Sequence, residues 1–199
     1  MKYEIKKELS AHMKKFGIHM LAQGLVNATF DEQHNPYSHS MSVVQIAHGA
    51  ELVIKSRIAE EHPLLIFTTI PKSANSIDTS LGIDDLLANG KTIMYSELPE
   101  RLWATTGYII PNIELFNQFG TVRNQIVHLG VPNIALCDLS LNFGYGIVEK
   151  MINEWWDETI LDYAIEYDDA YLEYVFEQTD RLQIEMKYKL SKKFELEKK

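Results

Sequence analysis

The sequence TVRNQIVHLG places a guanidinium, an amide and an imidazole on one short segment, as Arg123, Asn124 and His128. A guanidinium binds anionic oxygen atoms, an amide orients them by hydrogen bonding, and an imidazole exchanges protons near neutral pH. No acidic residue lies between Glu114 and Asp138 in the sequence. This combination predicts a site that binds an anionic substrate and carries out acid–base chemistry.

A second segment, RIAEEH, has the same arginine-to-histidine spacing, with Arg57 and His62 at its ends. Its intervening residues include Glu60 and Glu61, whose negative charges would repel a phosphate and hold the arginine in ion pairs. Because both segments have the same spacing, the spacing alone does not show which of them forms the site. The neighbouring residues favour the segment that begins at Arg123.

Helical geometry determines how the three side chains of the favoured segment can meet. At about 100° per residue, Asn124 and His128 share one helix face, whereas Arg123 lies roughly 140° from His128. A groove between two helices, or between two copies of the chain, would gather them better than one helix alone. His128 also precedes Gly130 in the last turn, where the helix dipole favours the protonated imidazolium.

Apolar residues recurring at spacings of three and four predict three long helices, over residues 2–29, 41–61 and 111–129. Pro63 ends the second of them. The apolar stripe of that second helix consists of Val43, Ala47, Ala50, Ile54 and Ile58.

The C-terminal part is predicted to be a loop over residues 138–146 and then one or two aromatic-rich helices over residues 147–180. Apolar and polar residues alternate over residues 182–190, which favours a short strand or an extended tail. We therefore expect an all-α fold in one domain, residues 1–199, with a core over about 2–180 and a basic tail over 181–199.

Composition limits the partners and the compartment. The single cysteine, Cys137, cannot form an intramolecular disulfide, so we expect a reducing compartment such as the cytoplasm. No apolar run approaches the roughly 20 residues of a membrane helix. The net charge of −9 argues against sequence-independent nucleic-acid binding, so no DNA is expected and any RNA contact is local.

Residues 151–180 carry ten carboxylates and no basic residue. This acidic segment is expected to be either a solvated face or a docking surface for a neutralising partner protein.

Metal and cofactor sites receive little support from the sequence. His48 and Glu51 have a spacing that metal ligands can use, but a complete ligand set is absent. We expect Glu51 to be buried and bonded to a neighbouring helix instead. The sequence has no phosphate-binding loop of the GxxxxGK[ST] or GxGxxG kind, so no cofactor is expected.

The segment VRNQIVHLG resembles the Arg-x4-6-His motif of ribonucleases in the HEPN (higher eukaryotes and prokaryotes nucleotide-binding) family, including the polar residue after the arginine. The segment AHGAELVIKSRIAEEHPLLI is similar to the earlier core helix of that family. The resemblance covers roughly residues 40–130.

The resemblance implies an all-α HEPN domain that cleaves RNA without a metal ion. It implies a homodimer in which two motif helices face each other across a cleft and form a composite active site. The ribose 2′-hydroxyl would attack the adjacent phosphate, leaving a 2′,3′-cyclic phosphate and a 5′-hydroxyl. His128 would be the general acid or base, Arg123 would stabilise the phosphorane charge, and Asn124 would orient the phosphate or the other two groups.

Stand-alone members of the family commonly act as toxins or antiviral defence nucleases, which is the role that the resemblance implies here. The alternative is a catalytically inert HEPN-like helical module that binds a protein or nucleotide partner. In that case Arg123 would pair with a carboxylate, and His128 would only form a hydrogen bond at a helix end.

Overall fold

The structure is a computed structural model that describes residues 3–30, 35–70, 86, 88–130, 135–166 and 170–186. Contacts divide the chain into two compact units, Met1–Gly17 with Glu51–Ile110 and Ile18–Ala50 with Pro111–Lys199. A single domain with a core over residues 2–180 stays a prediction.

The described residues are mainly helical, which confirms the predicted all-α fold. Two long helices begin the chain, α1 over Tyr3–Thr29 and α2 over Ser38–Glu61. Both were predicted, although α2 starts three residues earlier than its apolar pattern indicates. Every residue of the predicted α2 stripe is at most 1% exposed. Among the described helices, none combines the length and apolarity needed to cross a bilayer.

The first unit adds short elements after α2. These are a 3-10 helix at Pro63–Ile66, strand β1 at Phe67–Thr69, strand β2 at Lys91–Thr92, a 3-10 helix at Tyr95–Glu97, and helix α3 at Leu98–Thr106. The two strands pair antiparallel as a small sheet. Buried Ile66, Phe67 and Leu98 carry these elements into the core of this unit.

The second unit adds five α-helices and one π-helical turn among its described residues. They are α4 at Ile113–Leu129, α5 at Leu136–Phe143, the π-helical turn at Gly144–Val148, α6 at Glu149–Trp156, α7 at Ile160–Ala164, and α8 at Tyr171–Arg181. The predicted loop over residues 138–146 is therefore wrong, because this segment is helical. One or two helices were expected over 147–180, and the described residues form three, with breaks after Trp156 and after Ala164.

Tertiary packing explains why the glycine-containing segment is helical. A Cβ atom at Gly144 would lie 2.6 Å from Leu25 Cδ2, so the glycine allows α1 to approach the π-helical turn closely. A glycine that looks like a helix breaker in the local sequence is here required by a helix contact. Asp157, with φ of 54°, ends α6 in the left-handed conformation, and the Thr159 side chain caps α7.

The C-terminal tail was predicted to form a short strand or an extended tail. Residues 182–183 form a turn, and residues 184–186 have no regular secondary structure. Residues 187–190 of that prediction lie outside the described residues. The strand is thus wrong for the described part of the tail.

Aromatic side chains hold α4 against α5 in the second unit. The rings of Phe119 and Phe143 stack with centroids 3.9 Å apart, and Phe116 packs against the same Phe143 ring. All three side chains are fully buried. Such aromatic pairs contribute about 0.5–1.5 kcal/mol beyond their buried area. The backbone that carries the candidate site is therefore anchored by a rigid core.

Candidate active site

Helix α4 carries all three predicted site residues, and its ends are set by local sequence. Asn112 adopts the left-handed conformation, and its Oδ1 accepts a hydrogen bond from the Leu115 N–H at 3.1 Å. This N-cap satisfies one of the donors that the first turn leaves unpaired. Gly130, with φ of 99°, ends the helix after Leu129. His128 consequently lies in the last turn, as predicted.

The two faces of α4 differ sharply in composition. Its buried side chains are Phe116, Phe119 and Val122, together with Gly120. After the first turn, its exposed polar side chains are neutral amides, a hydroxyl and an imidazole: Asn117, Gln118, Thr121, Asn124, Gln125 and His128. The acidic residue of the helix, Glu114, lies in the first turn. The exposed face near the C-terminal end therefore carries no carboxylate from its own helix.

Arg123 is held by a neutral side chain. Its Nη1 donates a hydrogen bond to Asn124 Oδ1 at 2.9 Å. Within the described part of the chain, it forms no ion pair. Its guanidinium therefore has no described carboxylate that would neutralise it, and it remains half-buried at the surface.

The other three arginines have different partners. Arg57 pairs with Glu60 and Glu61, and Arg181 pairs with Asp138. Arg101 donates a hydrogen bond to the backbone carbonyl of Leu65 at 3.0 Å. Arg123 thus differs from Arg57 and Arg181 in having no described carboxylate partner. It differs from Arg101 in that its described hydrogen bond goes to a side-chain amide.

A groove of about 660 Å³ lies beside Arg123 within the second unit. Helices α1, α2 and α4 all contribute to it. Its apolar lining consists of Met20, Met41, Val44, Ile126 and Val127. Binding sites of this size hold small organic molecules or part of a larger ligand.

The polar lining of the groove contains two groups that can carry positive charge, Arg123 and His48. Tyr37, Ser40 and Gln45 complete it, and the described lining contains no carboxylate. The Gln45 side chain donates a hydrogen bond to Gln23 at 2.9 Å, which fixes one polar edge. The charge of the described lining therefore favours an anionic ligand.

The structure brings Arg123 and Asn124 together but leaves His128 apart from them. His128 is exposed and lies outside the groove lining. This separation follows from the helix geometry, which puts Arg123 and His128 on different faces. Within a single copy, α4 therefore does not bring Arg123 and His128 to the same bound phosphate.

His48 is the groove residue whose position the sequence analysis missed, since the sequence suggested it only as a weak metal ligand.

Glu51 was expected to be buried and bonded to a neighbouring helix, and this prediction is wrong. Its carboxylate pairs with Lys55 of its own helix at 2.6 Å, and Lys55 also contacts Thr92. Among the described residues, no group of three or more metal-binding side chains forms a metal site.

A sequence signal for the groove exists in α2. Met41, Val44, Gln45 and His48 follow a spacing of three and four residues, beside the buried stripe of the same helix. The sequence alone could have revealed this second stripe. It could not have revealed that the stripe faces α4 across the groove.

Comparison of the chain with protein-family models, curated proteins and solved structures finds no match.

Proposed function

We propose that the protein is a metal-independent endoribonuclease of the HEPN type, with Arg123, Asn124 and His128 as its catalytic residues. The observation that carries the proposal is the environment of Arg123. Its guanidinium is bonded to a neutral amide beside a groove whose described lining has no carboxylate. A cation in this state is available to a phosphate group.

In the proposed reaction, the ribose 2′-oxygen attacks the adjacent phosphorus, and the bond from phosphorus to the 5′-oxygen breaks. Arg123 stabilises the negative charge that develops on the phosphate oxygens, and Asn124 orients the guanidinium. His128 transfers a proton as general acid or base. The products are a 2′,3′-cyclic phosphate and a 5′-hydroxyl, and the reaction requires neither a metal nor a cofactor.

A homodimer is part of the proposal, because one copy of α4 separates Arg123 from His128. Apolar side chains near the site support an interface with a second copy. Val127 and Leu129 of α4 are 49% and 86% exposed, and Tyr37 and Met41 are 60% and 62% exposed. Clustered exposed apolar side chains are typical of interaction surfaces. A composite site would join Arg123 of one copy to His128 of the other.

A second candidate function is that of a catalytically inert module that binds a protein or nucleotide partner. The same exposed apolar side chains favour it, and so do the exposed carboxylates Glu173, Glu177 and Asp180 on α8. These carboxylates belong to the acidic segment, residues 151–180, that suits a basic partner. In the nuclease proposal, this protein is a cytoplasmic toxin or antiviral defence enzyme, and the acidic segment would bind a partner protein that neutralises it.

The test compares RNA cleavage by the wild type, Arg123→Ala and His128→Ala, with Arg57→Ala as the matched control. Each protein is incubated in EDTA with end-labelled single-stranded RNA and a transfer RNA pool, and the product ends are analysed. We expect cyclic phosphate ends from the wild type and from Arg57→Ala. Arg123→Ala and His128→Ala should lose roughly 10²- to 10⁴-fold in rate. Circular dichroism and sedimentation should show an unchanged fold and dimer.

Two outcomes would contradict the proposal in different ways. Absence of cleavage by the wild type would favour the interaction module. Equal cleavage by the wild type and both site variants would show that the assigned residues are wrong.

A further inference from the structure

The imidazole of His48 lies in the same groove as the guanidinium of Arg123. His48 is exposed, and among the described residues no hydrogen bond or ion pair involves it. Its helix is firmly held, since Ala47 and Ala50, one and two residues away, are at most 1% exposed. A fixed backbone thus presents an imidazole without a described partner to the groove that the proposed phosphate-binding residue also lines.

The chemistry of the proposed reaction requires two proton transfers at two places. The attacking 2′-oxygen and the departing 5′-oxygen lie roughly in line on opposite sides of the phosphorus. One imidazole cannot accept a proton on one side and donate a proton on the other in the same step. In the proposed composite site, Arg123 of one copy faces His128 of the other, and that His128 takes the donor role. Each composite site holds one His128. The acceptor role is then unfilled.

We infer that His48 is the general base of this site, and this inference rests on the proposed RNA cleavage. His48 accepts the proton of the ribose 2′-hydroxyl while Arg123 binds the phosphate in the groove. His128 of the second copy donates a proton to the departing 5′-oxygen. His48 lies in the middle of α2 and lines the same groove as Arg123.

The step balances in atoms and protons. The bond from the 2′-oxygen to phosphorus forms, and the bond from phosphorus to the 5′-oxygen breaks. One proton moves from the 2′-oxygen to His48, and another moves from His128 to the 5′-oxygen. Exchange with water then returns both histidines to their starting protonation states, and no oxidant, reductant or metal takes part.

The experiment uses His48→Gln and His128→Gln, with His12→Gln as a control at an exposed histidine of α1. Two RNA substrates are compared at the linkage that the wild type cuts. One is ordinary RNA, and the other has sulfur in place of the departing 5′-oxygen. Because a thiolate leaves without being protonated, the sulfur substrate does not need a general acid.

On ordinary RNA, we expect both site variants to be slower by about 10²-fold or more, and His12→Gln to be unchanged. The sulfur substrate should restore the rate of His128→Gln but not that of His48→Gln. The wild-type rate should rise and then fall with pH. His48→Gln should lose the rise on the acidic side, and His128→Gln the fall on the alkaline side.

Each other result overturns the inference in a recognisable way. A wild-type rate and pH profile for His48→Gln would exclude His48 while the proposed function stands. Rescue of His48→Gln by the sulfur substrate would make it the acid. A slower His48→Gln with an unchanged pH profile would indicate a structural role, which thermal unfolding would reveal. A wild type that cuts neither substrate would remove the proposed function together with this inference.

Discussion

The segments RIAEEH and RNQIVH share their spacing but differ in what their side chains do. In the first segment, Arg57 forms ion pairs with Glu60 at 3.3 Å and Glu61 at 2.9 Å. His62 Nδ1 accepts a hydrogen bond from the Leu64 N–H at 3.2 Å and caps the following 3-10 helix. Both ends of this segment therefore stabilise local structure.

In the second segment, apolar residues occupy the two positions where the first segment has glutamates. Ile126 and Val127 lie three and four residues after Arg123, as Glu60 and Glu61 lie after Arg57. Arg123 consequently keeps an uncompensated charge among the described residues. The comparison teaches that the intervening residues, and not the spacing, determine whether the arginine is available to a ligand.

Among changes that exchange features between the two segments, the largest effect should come from giving the second segment the carboxylate of the first. Val127→Glu places an acid four residues after Arg123, where it can pair with the guanidinium and repel a phosphate. Val127 is 49% exposed, so the change does not disturb the core. We expect RNA cleavage to fall by roughly tenfold or more, about 1.4 kcal/mol in activation free energy. Initial rates at low and high salt measure the change.

Val127→Gln is the matched control for this prediction, because it has the same length without the charge. If the two variants cut RNA equally slowly, the loss comes from the apolar contact of Val127 and not from neutralising Arg123.

A smaller effect is expected on the free energy of unfolding, where His62 and His128 should differ. His62→Ala removes the hydrogen bond to Leu64 and should lower the free energy of unfolding by about 1 kcal/mol. His128→Ala, at an exposed position, should change it by less than about 0.5 kcal/mol. Urea denaturation measures both values. His62→Asn keeps a side-chain acceptor, so it should recover part of the stability. A larger loss from His128→Ala than from His62→Ala would give His128 a structural role.

The smallest effect is expected at the ion pairs of Arg57. The double change Glu60→Gln and Glu61→Gln should lower the free energy of unfolding by less than about 1 kcal/mol, since partly exposed pairs are weak and screened. High salt should remove most of the difference in urea denaturation. The freed arginine should not restore RNA cleavage to His128→Ala. Restored cleavage would mean that the first segment can also form a site.

The sequence predicted the fold best where the apolar spacing is continuous, as in α2 and α4. It failed over residues 138–146, where Asn142, Gly144 and Gly146 suggested a loop. Local propensity does not include the contact between Gly144 and Leu25, which makes the glycine useful inside a helix. The breaks near Asp157 and Thr159 lay within a continuous aromatic and acidic pattern and were likewise missed.

The site was predictable to the extent that it depends on neighbours in sequence. Arg123 and Asn124 adjoin in the chain, and the absence of nearby acids was evident. His48 lies 75 residues before Arg123 in the numbering. Its place in the groove depends on how α1, α2 and α4 pack, which periodicity within one helix does not specify.

The hydrogen bond between Arg123 and Asn124 also has an entropic consequence. A free arginine side chain has roughly 2 kcal/mol of rotamer entropy to lose when a ligand immobilises it. The 2.9 Å bond to Asn124 restricts that freedom during folding, so less remains to be lost on binding. Asn124→Ala would retain the full positive charge and yet weaken anion binding, because the guanidinium would have to be ordered at the moment of capture.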